Sequence, residues 1–321
     1  MKVAVLSGGR SSEHDVSLRS GSAVARGLRE AGHEAVEVTI GRDGAWRASG
    51  EAVELAPGSG LLGADAVFPA LHGAFGEDGS IQGLLEQLDA PYVGSDVLSS
   101  AICMDKLTLK RLFLAHGVPQ VKFTAVEGAD WWGRCEAMGL PLWVKPSRMG
   151  SSVGITRVAR LDELDAAVER ALRHDPRVIV EASSPGREVE CSVLGNDDPE
   201  ASLPGEIVAQ GTWYDFEAKY TEGGMELRVP APIGDQATAN VRAMAVSVFK
   251  LAGCSGLARC DFFVEPDGSV LVNEINTMPG FTDTSVYAKL FEATGTGYAQ
   301  LCERLVQLAV ERHKQARSYE F

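Results

Sequence analysis

The chain has 321 residues, of which 45% are hydrophobic and 23% charged, a composition typical of a globular protein with two or three compact domains. Its 30 basic and 44 acidic side chains give a formal net charge of -14, which argues against nucleic acid or an anionic membrane surface as the main partner. Any anionic substrate must therefore be met by local positive charge.

The six cysteines indicate a reducing environment. They form no C-x-x-C pair and have no regular spacing, so the sequence predicts neither a zinc site nor a disulfide framework. We therefore expect free thiols and a cytoplasmic location. The opening stretch MKVAVLSGG has an apolar run too short for a signal peptide, and no run approaches the roughly 18 apolar residues of a membrane span.

The first third of the chain alternates predicted strands and helices. KVAVL, EAVEVTI, DAVFPAL and PYVG are strand candidates, and the segment after the first of them has helical spacing and ends at Gly32. This alternation predicts a parallel α/β sheet, in which ligands gather at the carboxyl ends of the strands. The loops SGGRSSEHD and LHGAFGEDGS fall at such ends, and neither contains G-x-G-x-x-G. Glu13, His14 and His72 are either site residues or polar residues of glycine-rich turns.

From about Ser99 the pattern changes. SSAICMDKLTLKRLFLAHG predicts one amphipathic helix, and the segment from Gly139 to Val144 leads into a strand. The stretch KPSRMGSSVGI then places Lys145 at a strand end, before a loop whose backbone N–H groups could bind phosphate. A solvated surface loop is the alternative, and taken alone the sequence of this loop favours it.

The second half of the chain mixes strands with a long polar insert. Strands are predicted from Ile155 to Val158, in RVIVEA and in GREVECSVLG, and helices in DELDAAVERALRH and in GYAQLCERLVQLAVERHKQAR at the end of the chain. The insert TWYDFEAKYTEGGMELRVP interleaves aromatic and charged residues with no period. We therefore expect it to form a loop or lid, a kind of segment that often carries function.

The stretch RCDFFVEPDGSVLVNEIN predicts a β-hairpin. Asp267-Gly268, between two β-rich runs, is typical of a two-residue type I′ loop. With that loop Asp261 faces Glu274 and Arg259 faces Asn276, so all four side chains share one face. The opposite face is predicted to pack in the core and carries Cys260, Phe262, Val264, Leu271 and Ile275.

The polar face of this hairpin predicts a metal site. Two carboxylates set against each other on a sheet repel unless a cation lies between them. Asp261, Glu274 and Asn276 offer only oxygen ligands, which suit Mg²⁺ that keeps some waters and completes its shell with substrate phosphates. The alternative is an exposed polar face that carries an arginine-carboxylate pair.

Seven segments together resemble one family. In chain order they are GGRSSEHDVSLRSG, HGAFGEDGSIQG, MDK, KPSRMGSSVGI, PGREVECSVLG, YDFEAKY and GLARCDFFVEPDGSVLVNEINTMPGFTDTS. They are similar to the motifs of D-alanine-D-alanine ligases of the ATP-grasp superfamily and cover nearly the whole chain. The resemblance implies an α/β protein, α+β in its C-terminal part, with an ATP-grasp fold behind an N-terminal parallel α/β domain. The implied domains are residues 1–97, 98–181 and 182–321.

The resemblance also implies how the chain binds ATP. Two Mg²⁺ (or Mn²⁺) ions, held by Asp261, Glu274 and Asn276, would bridge the ATP phosphates. The remaining implied ATP contacts are three lysines for the phosphates, a segment for adenine and a residue for the ribose. They are Lys106, Lys145 and Lys219, then Glu181, Ala182, Ser183 and Ser184 (largely through their backbone), then Glu188, with Asn273 as a further ATP residue.

For catalysis the resemblance implies phosphorylation of one D-alanine carboxylate, followed by attack of the second D-alanine's amine on the acyl phosphate. Arg259 and the backbone N–H of Gly280 would stabilise the oxyanion. Glu13 would hold the first substrate's ammonium and connect through Ser151 to Tyr220, which closes the insert. Other implied contacts are Ser285, for the second substrate's carboxylate, and His72, for substrate.

Three functions stay open at this level. The first is D-alanine-D-alanine ligation for peptidoglycan precursors, by a cytoplasmic homodimer whose partners are only small molecules. The second is a related ligase with another acceptor, such as D-lactate, D-serine or a specialised amino acid. The intact EAKY favours the dipeptide maker, since ester-forming relatives lack this Lys-Tyr pair. The third is a non-catalytic nucleotide-binding protein. It is disfavoured because the sequence has a suitable residue at every metal-binding and phosphate-binding position expected of the enzyme.

Overall fold

The computed structural model describes residues 1–209 and 225–320. Its N-terminal sheet has the strand order β4-β3-β2-β1-β5. The central strand β1 pairs in parallel with β2 and β5, while β3 and β4 extend the sheet antiparallel, which confirms the predicted parallel core. These strands are β1 (Lys2–Gly8), β2 (Glu34–Ile40), β3 (Trp46–Ala48), β4 (Glu51–Ala52) and β5 (Ala66–Pro69).

Two helices flank this sheet. Helix α1 (His14–Glu30) runs between β1 and β2, and helix α2 (Ser80–Gln87) follows β5. The predicted strand at PYVG is wrong, because only Tyr92 makes an isolated bridge, to Val67 of β5. Pro91 has no backbone N–H to contribute to a ladder, so the pairing does not extend.

The predicted helix beginning near Ser99 is two helices. Helix α3 (Val97–Met104) and helix α4 (Lys106–Ala115) are separated by Asp105, whose backbone is extended (φ -91°, ψ 97°). The Asp105 carboxylate accepts hydrogen bonds from the backbone N–H of Thr108 at 3.0 Å and from the Ser147 hydroxyl at 2.7 Å. The cap starts a new helix, so Lys106 becomes the first residue of α4.

The central part of the chain forms an antiparallel sheet in the order β6-β9-β7-β8. Apolar residues of two helices cover one side of it in a separate core. The strands are β6 (Phe123–Ala125), β7 (Leu142–Pro146), β8 (Thr156–Val158) and β9 (Val178–Ala182). The helices are α5 (Trp131–Met138) and α6 (Leu164–Leu172), the latter preceded by a 3₁₀ turn at Leu161–Glu163.

The C-terminal sheet is antiparallel in the order β13-β12-β10-β14-β15, with β11 beside β10. Strand β13 lies inside the segment predicted as a loop, so that part of the prediction is wrong, because β13 pairs with β12. Residues 212–224 of the insert, with 210 and 211 before them, lie outside the described residues. The strands are β10 (Arg187–Gly195), β11 (Glu200–Ala201), β12 (Gly205–Ala209), β13 (Met225–Arg228), β14 (Gly256–Val264) and β15 (Val270–Asn276).

The hairpin β14-β15 has the predicted pairs at its site end. Arg259 lies opposite Asn276 and Asp261 opposite Glu274. The loop itself differs from the prediction, because the backbone N–H of Glu265 donates to the Ser269 carbonyl at 2.9 Å and leaves three residues, 266–268, in the loop.

A bulge compensates for the longer loop. Phe262 pairs with Val272, so Asn273 is an extra residue in β15 and the predicted register resumes at Glu274. Between the loop and the bulge, the side chains of β15 point to the faces opposite to those predicted. Val270 and Val272 are therefore buried in the core in place of the predicted Leu271.

The last helices connect the C-terminal sheet with the N-terminal sheet. Phe281 contacts the ring of Phe68 in β5 (centroids 5.3 Å apart) and the ring of Tyr287 (5.5 Å), within one continuous core. All six cysteines are free, as predicted, and all six are buried. The division at residues 97 and 181 stays a prediction. The helices are α7 (Asp235–Leu251), α8 (Val286–Thr294) and α9 (Tyr298–Ala316).

No helix within the described ranges combines the length and the apolar character that crossing a bilayer requires.

Candidate active site

Two adjoining clefts contain most of the predicted site residues. The large cleft, of about 450 Å³, lies between the central and C-terminal sheets and is lined by Lys145 and Asn273 among others. The small cleft, of about 90 Å³, lies where the N-terminal sheet meets β14 and β15. Four residues line both clefts, which makes them two ends of one site: Lys106, Gly150, Ser151 and Glu274.

Lys106 lies at the junction of the two clefts. The break at Asp105 places it at the start of α4, where its ammonium donates to the Met149 carbonyl at 2.9 Å. The same nitrogen is 3.5 Å from Glu274 Oε2. Lys106 therefore connects the glycine- and serine-rich loop to the hairpin. This position at the junction of the two clefts suits a lysine that contacts phosphate.

Lys145 lies on the floor of the large cleft, at the end of β7. Its ammonium is 2.7 Å from Oε2 of Glu181, in the adjacent strand β9. Burial opposes the charged form of Lys145, but Glu181 and more distant carboxylates outweigh burial and raise its pKa. Lys145 is therefore a fixed positive charge in the wall of the cleft.

Glu181 is held by two lysines. The residue is only 2% exposed, and the second lysine, Lys110 of α4, lies 3.2 Å from Oε1. Burial alone would raise the pKa of Glu181, yet Lys110 and Lys145 bring it down to about 2. The Glu181 side chain is therefore the ionised partner of both lysines, in addition to the backbone contact with adenine that was predicted for this segment.

The other predicted nucleotide residues mostly line the large cleft. Ala182, Ser184, Glu188 and Asn273 do so. Ser184 also donates to Glu265 at 2.6 Å, which ties the segment to the hairpin loop. The exception is Ser183, which is not part of the cleft lining.

The three predicted metal ligands lie on one face of the hairpin. Asp261 and Glu274 oppose each other, and the Asn276 Oδ1 accepts from the Met278 N–H at 3.0 Å, which leaves a second lone pair on that oxygen. Two carboxylates and an amide oxygen fit a hard divalent cation. Within residues 1–209 and 225–320 no group of three His, Cys, Asp or Glu side chains could hold a metal by itself. The metal site therefore stays a prediction that needs Asn276.

Arg259 is held by two carboxylates. Its Nε and Nη2 each donate to Asp261 at 2.7 Å, and its Nε lies 2.9 Å from Glu190 Oε2. These carboxylates raise the pKa of the guanidinium further above its usual value in spite of its burial. Arg259 thus lines the small cleft as a permanent, oriented cation.

His72 lines the small cleft with both of its ring nitrogens occupied. Nδ1 lies 3.0 Å from the Met278 carbonyl and Nε2 lies 2.8 Å from the Ser20 hydroxyl, which in turn accepts from the Phe281 N–H at 3.2 Å. Burial lowers the pKa of His72 to about 4, so the ring is neutral. His72 therefore fixes the segment that contains Gly280, and its neutral ring lines the small cleft.

Glu13 and Glu77 bring two acidic groups to the small cleft. Glu13 immediately precedes α1 and is buried. Burial first, and the nearby Glu13 second, raise the pKa of Glu77 to about 8, so Glu77 is mostly protonated at neutral pH. Ser151, with a left-handed backbone (φ +51°), lies beside Glu13 in the lining of this cleft.

The predicted acceptor side of the site is built on the loop before α8. Gly280 lines the small cleft, and a Cβ placed there would lie 3.4 Å from the Ser285 hydroxyl. The Ser285 hydroxyl contacts the backbone N–H and the hydroxyl of Thr282, at 2.9 and 2.7 Å. Ser285 is thus near Gly280, at the N-terminus of α8. The predicted residues Lys219 and Tyr220 lie outside the described residues.

Sequence reasoning missed three residues of this site. Lys110 is four residues after Lys106, a helical spacing that already indicates a shared face. Glu77 is within a loop that the sequence singled out. Glu190 could not be found locally, because its contact with Arg259 depends on the pairing of β10 with β14.

Known proteins match this chain along nearly all of its length. The family profiles described as D-ala D-ala ligase N-terminus and C-terminus match residues 2–95 and 112–307. A D-alanine--D-alanine ligase of Deinococcus radiodurans is 44% identical, over 97% of this chain and 98% of the relative. Two similar solved structures are a D-alanine-D-alanine ligase from Coxiella burnetii and the VanG D-Ala:D-Ser ligase from Enterococcus faecalis.

Both structures are 35% identical to this chain. The Coxiella enzyme has a TM-score of 0.90, with 99% of this chain and 96% of that chain covered. The Enterococcus enzyme has a TM-score of 0.87, with coverage of 96% and 99%.

Proposed function

The chain belongs to the D-alanine-D-alanine ligase family, and from this premise we propose how its residues divide the reaction between the two clefts. It is an ATP-dependent, ADP-forming ligase that joins two D-alanines through an acyl phosphate, a step in peptidoglycan precursor synthesis. As in the family generally, a divalent metal ion is required. The observation that carries the division is that Lys106, Gly150, Ser151 and Glu274 line both clefts.

The large cleft binds ATP. Lys145 and Lys106 meet the phosphates, with Lys219 as the third lysine. Glu188 binds the ribose and Asn273 lies nearby. The segment from Glu181 to Ser184 binds adenine. Support comes from Lys106, which lines both clefts and would attract the γ-phosphoryl group to their junction.

Two Mg²⁺ ions, or Mn²⁺ in their place, would be held by Asp261, Glu274 and Asn276. When bound, they neutralise the negative charge that accumulates on the phosphates during transfer. The opposed carboxylates of the hairpin support this assignment, because with the neighbouring Glu190 they bring three negative charges, of which Arg259 and Lys106 offset two.

The small cleft binds the two D-alanines. Glu13, buried beside the cleft, accepts from the first ammonium and connects through Ser151 to Tyr220. Arg259 and the Gly280 N–H donate to the oxyanion that develops when the second amine attacks. Ser285 binds the second carboxylate. His72 keeps the Gly280 segment in place while its neutral ring packs against substrate.

A phosphate-release assay over a panel of D- and L-amino acids, with mass analysis of the products, tests this function. We expect release with D-alanine and D-alanyl-D-alanine as the product. A D-serine-containing product in excess would instead assign a D-Ala:D-Ser ligase activity, as in the Enterococcus relative, which is the related ligase with another acceptor. ATP hydrolysis without any ligated product would reject the proposed use of the small cleft.

The proposal also covers the oligomeric state of the protein and its location in the cell. We propose a homodimer that acts in the cytoplasm, where six buried, unpaired thiols stay reduced. Light scattering on the purified protein tests the dimer, and a mass equal to one chain at working concentration would reject it.

A further inference from the structure

Lys110 is almost completely buried beside the site, at 1% exposure. It projects from α4 one turn after Lys106, and its ammonium lies 3.2 Å from Glu181 and 5.9 Å from the ring centroid of Phe123. Among the described residues its nitrogen has no well-aligned hydrogen bond, and Glu181 is its ion-pair partner. A buried ammonium with so few partners costs stability, so its presence calls for a functional reason.

The net charge of the cluster formed by Lys110, Glu181 and Lys145 supplies that reason. Glu181 carries one negative charge and lies between two lysines, at 3.2 Å from Lys110 and 2.7 Å from Lys145. Lys145 faces the large cleft, whereas Lys110 lies behind Glu181 and away from the lining. With Lys145 alone, Glu181 would cancel its charge, and the cleft wall would be neutral at that point. With Lys110 present, the cluster keeps a net charge of plus one.

We propose that Lys110 is a positioning residue whose buried ammonium occupies Glu181, so that Lys145 presents an uncompensated positive charge to the nucleotide phosphates. This inference rests on the proposed binding of ATP in the large cleft. Because the cleft wall is poorly solvated, one unit of charge there has a larger effect on phosphate binding than it would have in water.

The groups that face Lys110 set the conditions for this role. Burial lowers the pKa of Lys110 and the nearby Lys145 adds to this effect, while Glu181 favours the ammonium and opposes it. Glu274 lies farther away and favours the ammonium. The side-chain amide of Gln120 donates to the backbone carbonyl of Lys110 at 2.9 Å, whereas the Lys110 ammonium is paired with Glu181.

The test compares Lys110→Met, Glu181→Gln and the double variant with the parent. Calorimetry would measure the Kd for MgATP, MgADP and AMP, and circular dichroism would confirm the fold. Lys110→Met changes the net charge of the cluster from plus one to zero, and we expect the Kd for MgATP to rise about tenfold or more. The increase should be smaller for MgADP and smallest for AMP. At saturating ATP, kcat should stay near that of the parent.

The double variant is the decisive arm, because removing Lys110 and Glu181 together restores a net charge of plus one. We expect it to recover most of the MgATP affinity lost in Lys110→Met. An equal loss for ATP, ADP and AMP, with no recovery in the double variant, would overturn the proposal and assign Lys110 to the base end of the cleft. An unchanged Kd in Lys110→Met would also overturn it.

Two controls keep the outcomes separate. A parent enzyme that fails to bind MgATP would reject ATP binding in the large cleft, whatever the variants do. If Lys110→Met does not fold, Lys110→Gln replaces it, since glutamine is neutral and can still donate to Glu181. The same charge argument then predicts the same rise in Kd.

Discussion

Glu190 of β10 lies directly across the sheet from Asp261 of β14, which in turn lies opposite Glu274 of β15. Three carboxylates thus form one row across three strands. Arg259 contacts two of them, Asp261 through two hydrogen bonds of 2.7 Å and Glu190 at 2.9 Å. If a metal ion takes Asp261, Glu190 remains to orient the guanidinium.

This relationship predicts the effect of Glu190→Gln. The amide keeps the shape and one acceptor but removes the charge that holds Arg259, so the guanidinium should be less well oriented in the transition state. We expect kcat to fall about tenfold to a hundredfold with little change in the KM for ATP, measured by phosphate release. The control is Glu200→Gln, which removes an exposed ion pair with Arg304 near the same sheet.

A Glu190→Gln variant whose defect lay entirely in the KM for ATP would contradict this role. Arg259 would then be a ground-state contact.

The metal assignment predicts a severe loss in Glu274→Gln. The change removes one of two opposed carboxylates, so the site should bind Mg²⁺ weakly and leave the charge of the transferring phosphoryl group less well neutralised. We expect phosphate release to fall at least about a hundredfold while the circular dichroism spectrum is unchanged. Assays over a range of Mg²⁺ concentrations would show whether excess metal restores part of the rate.

The control for this variant lies on the same hairpin. Asp267→Asn changes a carboxylate in the loop, where it accepts from Ser269 at 2.9 Å, and should leave turnover close to that of the parent. Near-normal turnover of Glu274→Gln at limiting Mg²⁺ would show that the opposed pair does not hold the metal.

The hairpin shows how far sequence reasoning reached. The predicted site pairs are correct, although the predicted loop is one residue too short. The bulge at Asn273 cancels that error, and nothing in the local sequence marks it, because bulges depend on how the whole sheet twists and packs. Leu271, between loop and bulge, is therefore the residue that was placed on the wrong face.

The split between α3 and α4 has a similar cause. Helical spacing continues through Asp105, so periodicity alone predicts one helix. The break depends on Ser147 and Arg177, distant residues that both contact the Asp105 carboxylate. Residues in continuous motifs, such as Lys145 and Arg259, were found from sequence, whereas Glu190 required strand pairing across about seventy positions.

Asp105 should matter for stability and for nucleotide binding. Asp105→Ala removes the cap of α4 and the acceptor for the buried Ser147 hydroxyl, and breaks the ion pair with the partly exposed Arg177. We expect a loss of about 2 to 4 kcal/mol in the free energy of unfolding, together with a higher KM for ATP because Lys106 begins this helix. Urea unfolding and steady-state kinetics would measure both.

Asp96→Ala is the matched control for that variant. Asp96 caps α3 through the Ser99 N–H at 2.9 Å, so its loss should cost only about 1 kcal/mol and leave the KM for ATP unchanged. Equal costs for the two variants would show that Asp105 acts as a cap alone.

Glu77 predicts a dependence of stability on pH in the ligand-free, metal-free enzyme. Burial, then Glu13, raise its pKa from 4.5 to about 8, against the Gly73 N–H and the Arg259 charge. Between these values the folded protein keeps the proton that the unfolded chain has lost. The free energy of unfolding therefore falls as pH rises through this range and levels off above about pH 8. Glu77→Gln keeps the acceptor for Gly73 but does not titrate, so it lacks this decline.

The useful window for that comparison lies between pH 6.5 and 8.5. Below it His72, with its pKa lowered from 6.5 to about 4, makes stability rise with pH and would mask the effect. From pH 6.5 to 8.5 the free energy of unfolding of Glu77→Gln should rise by about 2 kcal/mol relative to that of the parent. Urea unfolding at each pH would measure this difference. Glu127→Gln, at an exposed ion pair with Arg111, should follow the parent throughout. If Glu77→Gln also follows the parent, Glu77 is already ionised in the folded protein, and Arg259 outweighs its burial.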